Sequence, residues 1–308
     1  MQKGNLKSYL NLHFIVFIWG FTAVLGELIT VRDASLVWYR MLLAGIFLLI
    51  YNLAIGKKMA LPLKSAAGLV FVGFLIAIHW IFFFRAIDIS NVSITLAMFS
   101  VGAFFASILE PLFYKRKMLW YEVLFGLIII AGLFMIMQVE VKYLNGALAA
   151  LFSVFVGVVF TLFNGKLIQK HDSAVITVYE FFAGFFFVSI YLLIEGKFTP
   201  QFFNVSGHDW MLIILLSSVC TSYAFTASVN VMRKLTPYTV MLTTNLEPVY
   251  GILLAYFIIG GSEKMSISFY VGSAIILATV ILNGIIKNYS RKKEAKAQSQ
   301  DFNIDQSN

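Results

Sequence analysis

The chain has 308 residues, of which 60% are hydrophobic and only 12% charged, and its mean hydropathy is +0.87. A soluble domain needs roughly a quarter of its residues charged, so a soluble globular protein is excluded and the chain reads as an all-α integral membrane protein. Its net charge of +8 needs no nucleic-acid partner, because basic loops beside anionic lipid headgroups account for it.

Apolar runs of about 20 residues, the length that crosses a bilayer core, follow one another with short connections. In chain order the predicted spans are 9–30, 34–55, 66–87, 92–114, 119–138, 146–165, 174–195, 209–231, 237–260 and 267–287. Met1 to Ser8 is short and basic. The apolar stretch behind it is too long for a cleavable signal and lacks a small-residue cleavage site, so the first span is expected to stay in the mature protein. From Asn288 onward the chain is polar and without apolar periodicity, which predicts a disordered tail over 288–308. The lone Cys220 offers no intramolecular disulfide and fits no metal-ligand spacing.

Basic residues divide sharply between the two sides that these spans define. Seventeen of the 23 Lys and Arg fall in the terminal segments and even-numbered connections, while Arg32, Arg85, Lys142, Lys197 and Lys264 lie opposite and Arg40 lies inside a span. Positive charge is retained on the cytoplasmic side during insertion, so both termini are expected in the cytoplasm and the protein in the cytoplasmic (inner) membrane.

The two halves are weakly alike. Gly20 matches Gly157, AGIF at 44–47 matches AGFF at 183–186, His79 falls opposite Tyr223 and Asn91 opposite Pro237, with an offset that grows slowly along the chain. Five spans per half is an odd number, so residues 1–143 and 144–287 are expected as two five-helix repeats inserted in opposite senses. Such a pair can expose one central cavity first to one side and then to the other.

Several polar residues stand where lipid would penalise them. Glu247 lies about ten residues, or roughly 15 Å, into the ninth span, near the middle of the core, where a charged acid costs roughly 2.5–3.5 kcal/mol. Pro248 removes the hydrogen bond to the carbonyl of Thr244, which predicts a kink beside the acid. Thr244, Glu247 and Gly251 share a helix face, with Asn245 adjoining. These features favour a cavity-facing substrate or proton site over an acid that only holds two helices together. Arg40 is deep enough to need a carboxylate, carbonyl or water partner, and either anchors a helix or receives a substrate carboxylate. Glu180 occupies nearly the inverted position and either guards the cytoplasmic mouth or snorkels to the interface; it and Pro248 are read as gating residues. His79 is a candidate proton relay or a neutral hydrogen-bonding residue. Trp19, Trp80 and Tyr223 are candidates to line the pocket. Ser217, Thr221, Ala224 and Ser228 form a small, polar stripe suited to helix packing. Glu110, near the 115–117 basic cluster, is expected to pair with a lysine.

No P-loop, H-E-x-x-H or G-x-S-x-G motif occurs, so the chain is not expected to be an enzyme, and no metal or cofactor is implied. WGFT at 19–22, RMLLAG at 40–45, NLEPVYGILLAYFIIGGSE at 245–263 and the glycine-bearing tenth span, in this order, resemble the EamA-type branch of the drug/metabolite transporter superfamily over residues 9–287. The resemblance implies a five-plus-five inverted-repeat fold, cytoplasmic termini, a central cavity and transport, often export, of amino acids or other small metabolites. A passive channel or a structural membrane protein is the alternative. The expected partners are a small-molecule substrate and the bilayer, and homodimer formation stays open.

Overall fold

The computed structural model describes residues 3–115, 118, 124–125, 127–128, 131–132, 135, 141–260, 266–279, 281–282, 285–286 and 289. Most of the predicted span 119–138 and the whole tail 290–308 lie outside them. Among the described residues the ordered elements are helical. They are α1 (Lys3–Leu28), α2 (Asp33–Ala54), α3 (Leu63–Ile89), α4 (Val92–Phe99), α5 (Gly102–Tyr114), α6 (Leu144–Leu167) and α7 (Ser173–Ile194). There follow α8 (Gly207–Leu215), a π-helical stretch (Leu216–Tyr223), α9 (Ala224–Val231), α10 (Pro237–Thr244), α11 (Glu247–Ile258) and α12 (Ile267–Thr279). Among the described residues eight helical stretches are long and apolar enough to cross a membrane, with α12 a shorter ninth segment. The protein is therefore a multi-pass membrane protein, as its hydropathy predicts.

The fourth and ninth predicted spans are each broken near the middle. α4 and α5 are separated by a turn at Ser100–Val101, and α10 and α11 by a turn at Asn245–Leu246. Pro248 therefore does not kink a continuous helix, as its sequence context suggests. The helix has already stopped at Thr244, and Pro248 stands in the first turn of α11, where its missing N–H costs nothing. Discontinuous helices of this kind place backbone polar groups at mid-depth, which lipid tolerates only where protein or a watered cavity receives them.

α2 and α7 display the relation between the halves most clearly. Each has 22 residues, and each ends at a glycine of positive φ, Gly56 (66°) and Gly196 (61°). They run antiparallel, since Lys57, just past the end of α2, pairs with Asp172 at the start of α7 at 2.7 Å. At the other end Tyr39 donates to the carbonyl of Phe202, beyond the end of α7. The mirror contact is made by Tyr179, which donates to the carbonyl of Met59. Two copies inserted in opposite senses require this arrangement.

Glycines set the closest crossings. A Cβ at Gly73 would stand 2.3 Å from the carbonyl oxygen of Glu180, one at Gly20 2.8 Å from Cβ of Tyr250, and one at Gly157 3.0 Å from the ring of His79. Small residues let these helices touch where lipid supplies no hydrophobic drive for association. Gly251 likewise packs against Leu96 and the carbonyl of Gly20, so it serves the α1–α11 crossing and does not share the outlook of Glu247. Gly132 approaches Gly272 and Ile276 closely, so the fifth and tenth predicted spans meet there.

At the end of the molecule that holds the N-terminus, Asp172 caps α7 by accepting from the N–H of Ala174. Partial burial opposes its charge, but the hydrogen bond from Lys57, the cap and the Lys57 charge outweigh that effect and hold the carboxyl below its usual range. A depressed carboxyl stabilises the fold in full above the ordinary value of about 3.9 and loses that contribution as pH falls from there through its lowered folded-state value. Since the two side chains are 28% and 43% exposed, the ion pair is worth no more than about 1 kcal/mol. Asp172→Asn, which keeps a capping side chain, should therefore destabilise by less than about 1 kcal/mol at neutral pH, and Asp172→Ala by about 1 kcal/mol more. The difference between wild type and the Asn variant should shrink as pH falls below the ordinary carboxyl value and vanish once the carboxyl is protonated in the fold, as read by thermal unfolding in detergent micelles.

Candidate functional site

Between the helices lies a cavity of about 90 Å³, room for several waters. Its wall is drawn from both halves: Trp19 and Thr22 of α1, Arg40 of α2, His79, Trp80 and Phe83 of α3, and Phe99 of α4 from the first. The second half contributes Gly157, Thr161 and Asn164 of α6, Phe225 and Ser228 of α9, Thr244 at the end of α10, and Glu247 at the start of α11. The wall reaches Asn164 and Met232, at the N-terminal end of the bundle, whereas toward the other end it stops at Phe83 and Phe99. The cavity is thus displaced toward the side that carries the N-terminus.

Arg40 is 2% exposed and fixed from two sides. Its Nε donates to the hydroxyl of Thr221 at 2.7 Å, and its guanidinium lies over the indole of Trp80, 3.9 Å from the ring centroid. Nη1 has no protein partner, which leaves a donor beside the cavity. Glu247 is 6% exposed and close enough for the two charges to act on each other, yet neither group belongs to any ion pair found among the described residues. The two groups therefore flank the cavity without neutralising each other by contact. Placing Glu247 in the first turn of α11 also sets its charge at the positive end of that helix dipole. At the corresponding place after the first broken helix stands Gly102, where a Cβ would already press on Val154 and Met241 at 2.9 and 3.0 Å. Packing leaves no room there for a second acid.

The π-helical stretch explains how Arg40 is held. Widening the turn leaves carbonyls without their usual partners. Thr221 and Ser222 return hydroxyl bonds to Leu216 and Ser217, and the indole N–H of Trp19 donates to the carbonyl of Cys220 at 3.2 Å. Thr221 thereby presents its oxygen to Arg40. The small, polar stripe seen in the sequence packs helices, as expected, but Ser228 also reaches the cavity wall.

Of the residues singled out from the sequence, Glu247, Arg40, His79, Trp19, Trp80 and Thr244 come together in one wall. His79 is clamped to α6: its Nδ1 lies 2.7 Å from the carbonyl of Ser153, and the Ser153 hydroxyl donates to the carbonyl of His79. Tyr223 does not join them. Its side chain is 48% exposed on the outer surface and meets Phe14 edge-on, because the widened π turn rotates it outward. Asn245 is buried in the turn between α10 and α11 and is not part of the wall. Glu180 is not at a mouth either, being fully buried under the α3 crossing. Glu110, expected at the interface, is buried and accepts from the backbone N–H of Tyr238 in the first turn of α10. Sequence reasoning missed Thr22, Asn164 and the Phe83–Phe99–Phe225 wall. Asn164 was legible as a lone amide inside the predicted span 146–165, whereas nothing distinguishes those three rings among 31 phenylalanines.

The family model for the EamA-like transporter family matches residues 6–138 and again 144–285. The chain belongs to the EamA-like transporter family. That family is one of membrane transporters. An "Uncharacterized transporter" of Archaeoglobus fulgidus is 24% identical over 128 residues, covering 42% of this chain and 43% of that protein. The match thus spans under half of that relative's length. A solved structure titled "Crystal structure of protein" shares the fold, with a TM-score of 0.69 at 15% identity over 91% of this chain and 98% of the other.

In this EamA-like chain the mutual dependence of Arg40 and Glu247 is directly measurable. Arg40→Met should destabilise by about 1–3 kcal/mol, because it removes the hydrogen bond to Thr221, the contact with Trp80 and the cation near a buried acid, and Glu247→Gln added to it should restore part of the loss. A double-mutant cycle on thermal unfolding should give a coupling of about 1–3 kcal/mol, whereas strict additivity would mean that the two charges do not sense each other.

Proposed function

We propose that the protein is a secondary transporter of the cytoplasmic membrane that exports small organic solutes, amino acids or related metabolites, by alternating access. The observation that supports this reading best is the central cavity in which Arg40 and Glu247 stand uncombined. A buried cation with a free donor and a buried anion, facing a space walled by Trp19, Trp80 and Phe160, suit a solute that bears a carboxylate, an ammonium and an apolar body. Of the two roles the sequence leaves open for Glu247, contact with the substrate and exchange of protons, the nearby Arg40 favours the first. His79 and Thr244 complete the wall as hydrogen-bonding groups.

Antiparallel, matched helices and two mid-depth breaks support a mechanism in which the halves rock around this cavity. The distribution of Lys and Arg supports cytoplasmic termini. In that orientation the cavity of this conformer lies toward the cytoplasm, where an exporter collects its cargo.

Cells overproducing the protein should accumulate a specific solute in the medium, found by untargeted metabolite comparison with cells producing Arg40→Met or Glu247→Gln at equal membrane levels. In proteoliposomes that solute should move with saturable kinetics and show counterflow, and each variant should slow it about tenfold or more, the effect of losing one charge-assisted contact. Flux that never saturates and shows no counterflow would identify a channel instead.

A further inference from the structure

One buried acid is left unexplained by the cavity. Glu180 sits inside the membrane-spanning helix α7, fully buried. Its Oε2 accepts a long hydrogen bond of 3.4 Å from the amide of Asn164, and its Oε1 has no partner. The side-chain oxygen Oδ1 of Asn164 is also unpartnered, and Asn164 lines the cavity. Bare acceptor oxygens therefore outnumber the donors present, and a charge there costs several kcal/mol unless a cation compensates it.

Among the described residues no such cation faces it. On α2, Arg40 is committed to Thr221, Trp80 and the cavity, Asp33 pairs with Arg85, Tyr39 bonds to Phe202 and Tyr51 is exposed. On α3, His79 is held by Ser153, Lys64 is exposed at the helix start, and at the far end Arg85 pairs with Asp33 and Asp88 with Arg32. On α6, Lys166 lies over the ring of Phe113. On α7 itself, Tyr179 bonds to Met59 and Tyr191 is exposed. α9 has no titratable residue.

We propose that Glu180 is a proton-binding carboxyl of the transport cycle, reached from the cavity through Asn164. A proton on Glu180 supplies the donor that the bare oxygens lack and removes the uncompensated charge. The position gives this proton a role. Glu180 is the eighth residue of α7 and Arg40 the eighth of α2, in matched helices of opposite sense. When two inverted repeats exchange conformations, equivalent positions exchange surroundings. Arg40 lines the cavity in this conformer and Glu180 does not, so in the alternate conformer Glu180 comes to the cavity wall. There its O–H bond breaks, the proton passes to water, and the electron pair stays on a carboxylate that solvent now stabilises. This inference rests on the alternating-access reading given above.

The test uses the full chain reconstituted in liposomes and takes protons, deuterons and sodium as probes. Infrared difference spectra should contain the carbonyl band of a protonated buried carboxyl that shifts in heavy water. The band should be absent in Glu180→Gln, displaced in Glu180→Asp and kept in Glu247→Gln. With the exported solute, Glu180→Gln should retain counterflow while a pH gradient no longer stimulates it above the counterflow level. The proposal is overturned by a band that survives Glu180→Gln, by one that disappears only in Glu247→Gln, by sodium replacing the proton, or by unimpaired gradient stimulation in Glu180→Gln. Wild-type protein that shows the band but no counterflow of any solute would instead refute the transport reading, and with it the cycle in which the proton acts.

Discussion

An apolar solvent cannot stabilise a charge, so every ionised group at mid-depth must be answered by protein or by enclosed water. In this protein that constraint converges on Arg40 and Glu247. Thr221 and Trp80 hold the arginine, a helix start receives the glutamate, and a gap remains between them. The π-helical stretch, the broken ninth span and the indole bond of Trp19 are local departures from regular helix that allow the gap to exist. Each would be a defect in a packing-only bundle. Together they leave an enclosed space lined by Arg40, Glu247, Thr22 and Asn164 inside an otherwise apolar molecule.

The repeat distributes this chemistry unequally. Tyr39 and Tyr179 make equivalent bonds to the chain beyond the opposite helix, and the glycine ends of α2 and α7 have the same left-handed backbone. The buried charged positions, by contrast, have diverged: arginine against glutamate in the second helix of each half, and glutamate against glycine after the broken helices. The symmetric contacts are those that any pair of oppositely inserted units needs, and the asymmetric ones are where a solute and a driving ion would be distinguished.

Much of this was legible in the residues. Hydropathy placed the helices because a bilayer core has one thickness, and the misfit of Glu247 in apolar surroundings marked the site because burial of an acid needs a reason. Arg40 was recognisable on the same ground. Side-chain direction was not legible, since a π turn shifts every later residue around the helix. Tyr223 was therefore read as inward, and Gly251 was read as sharing the outlook of Glu247 because nothing in the residues shows that α1 and α4 cover it. Glu180 was misread as a gate because distance from a helix end says nothing about what a neighbouring helix covers. The proline was given the kink that its preceding turn had already made.

Access to the cavity from both membrane faces is the claim on which the rest depends. A cysteine placed by Thr244→Cys in a Cys220→Ser background, challenged with a membrane-impermeant maleimide in right-side-out and in inverted vesicles, measures it directly. The account predicts labelling from either face, reduced from both by the exported solute. Labelling from one face alone, or from neither, would contradict it.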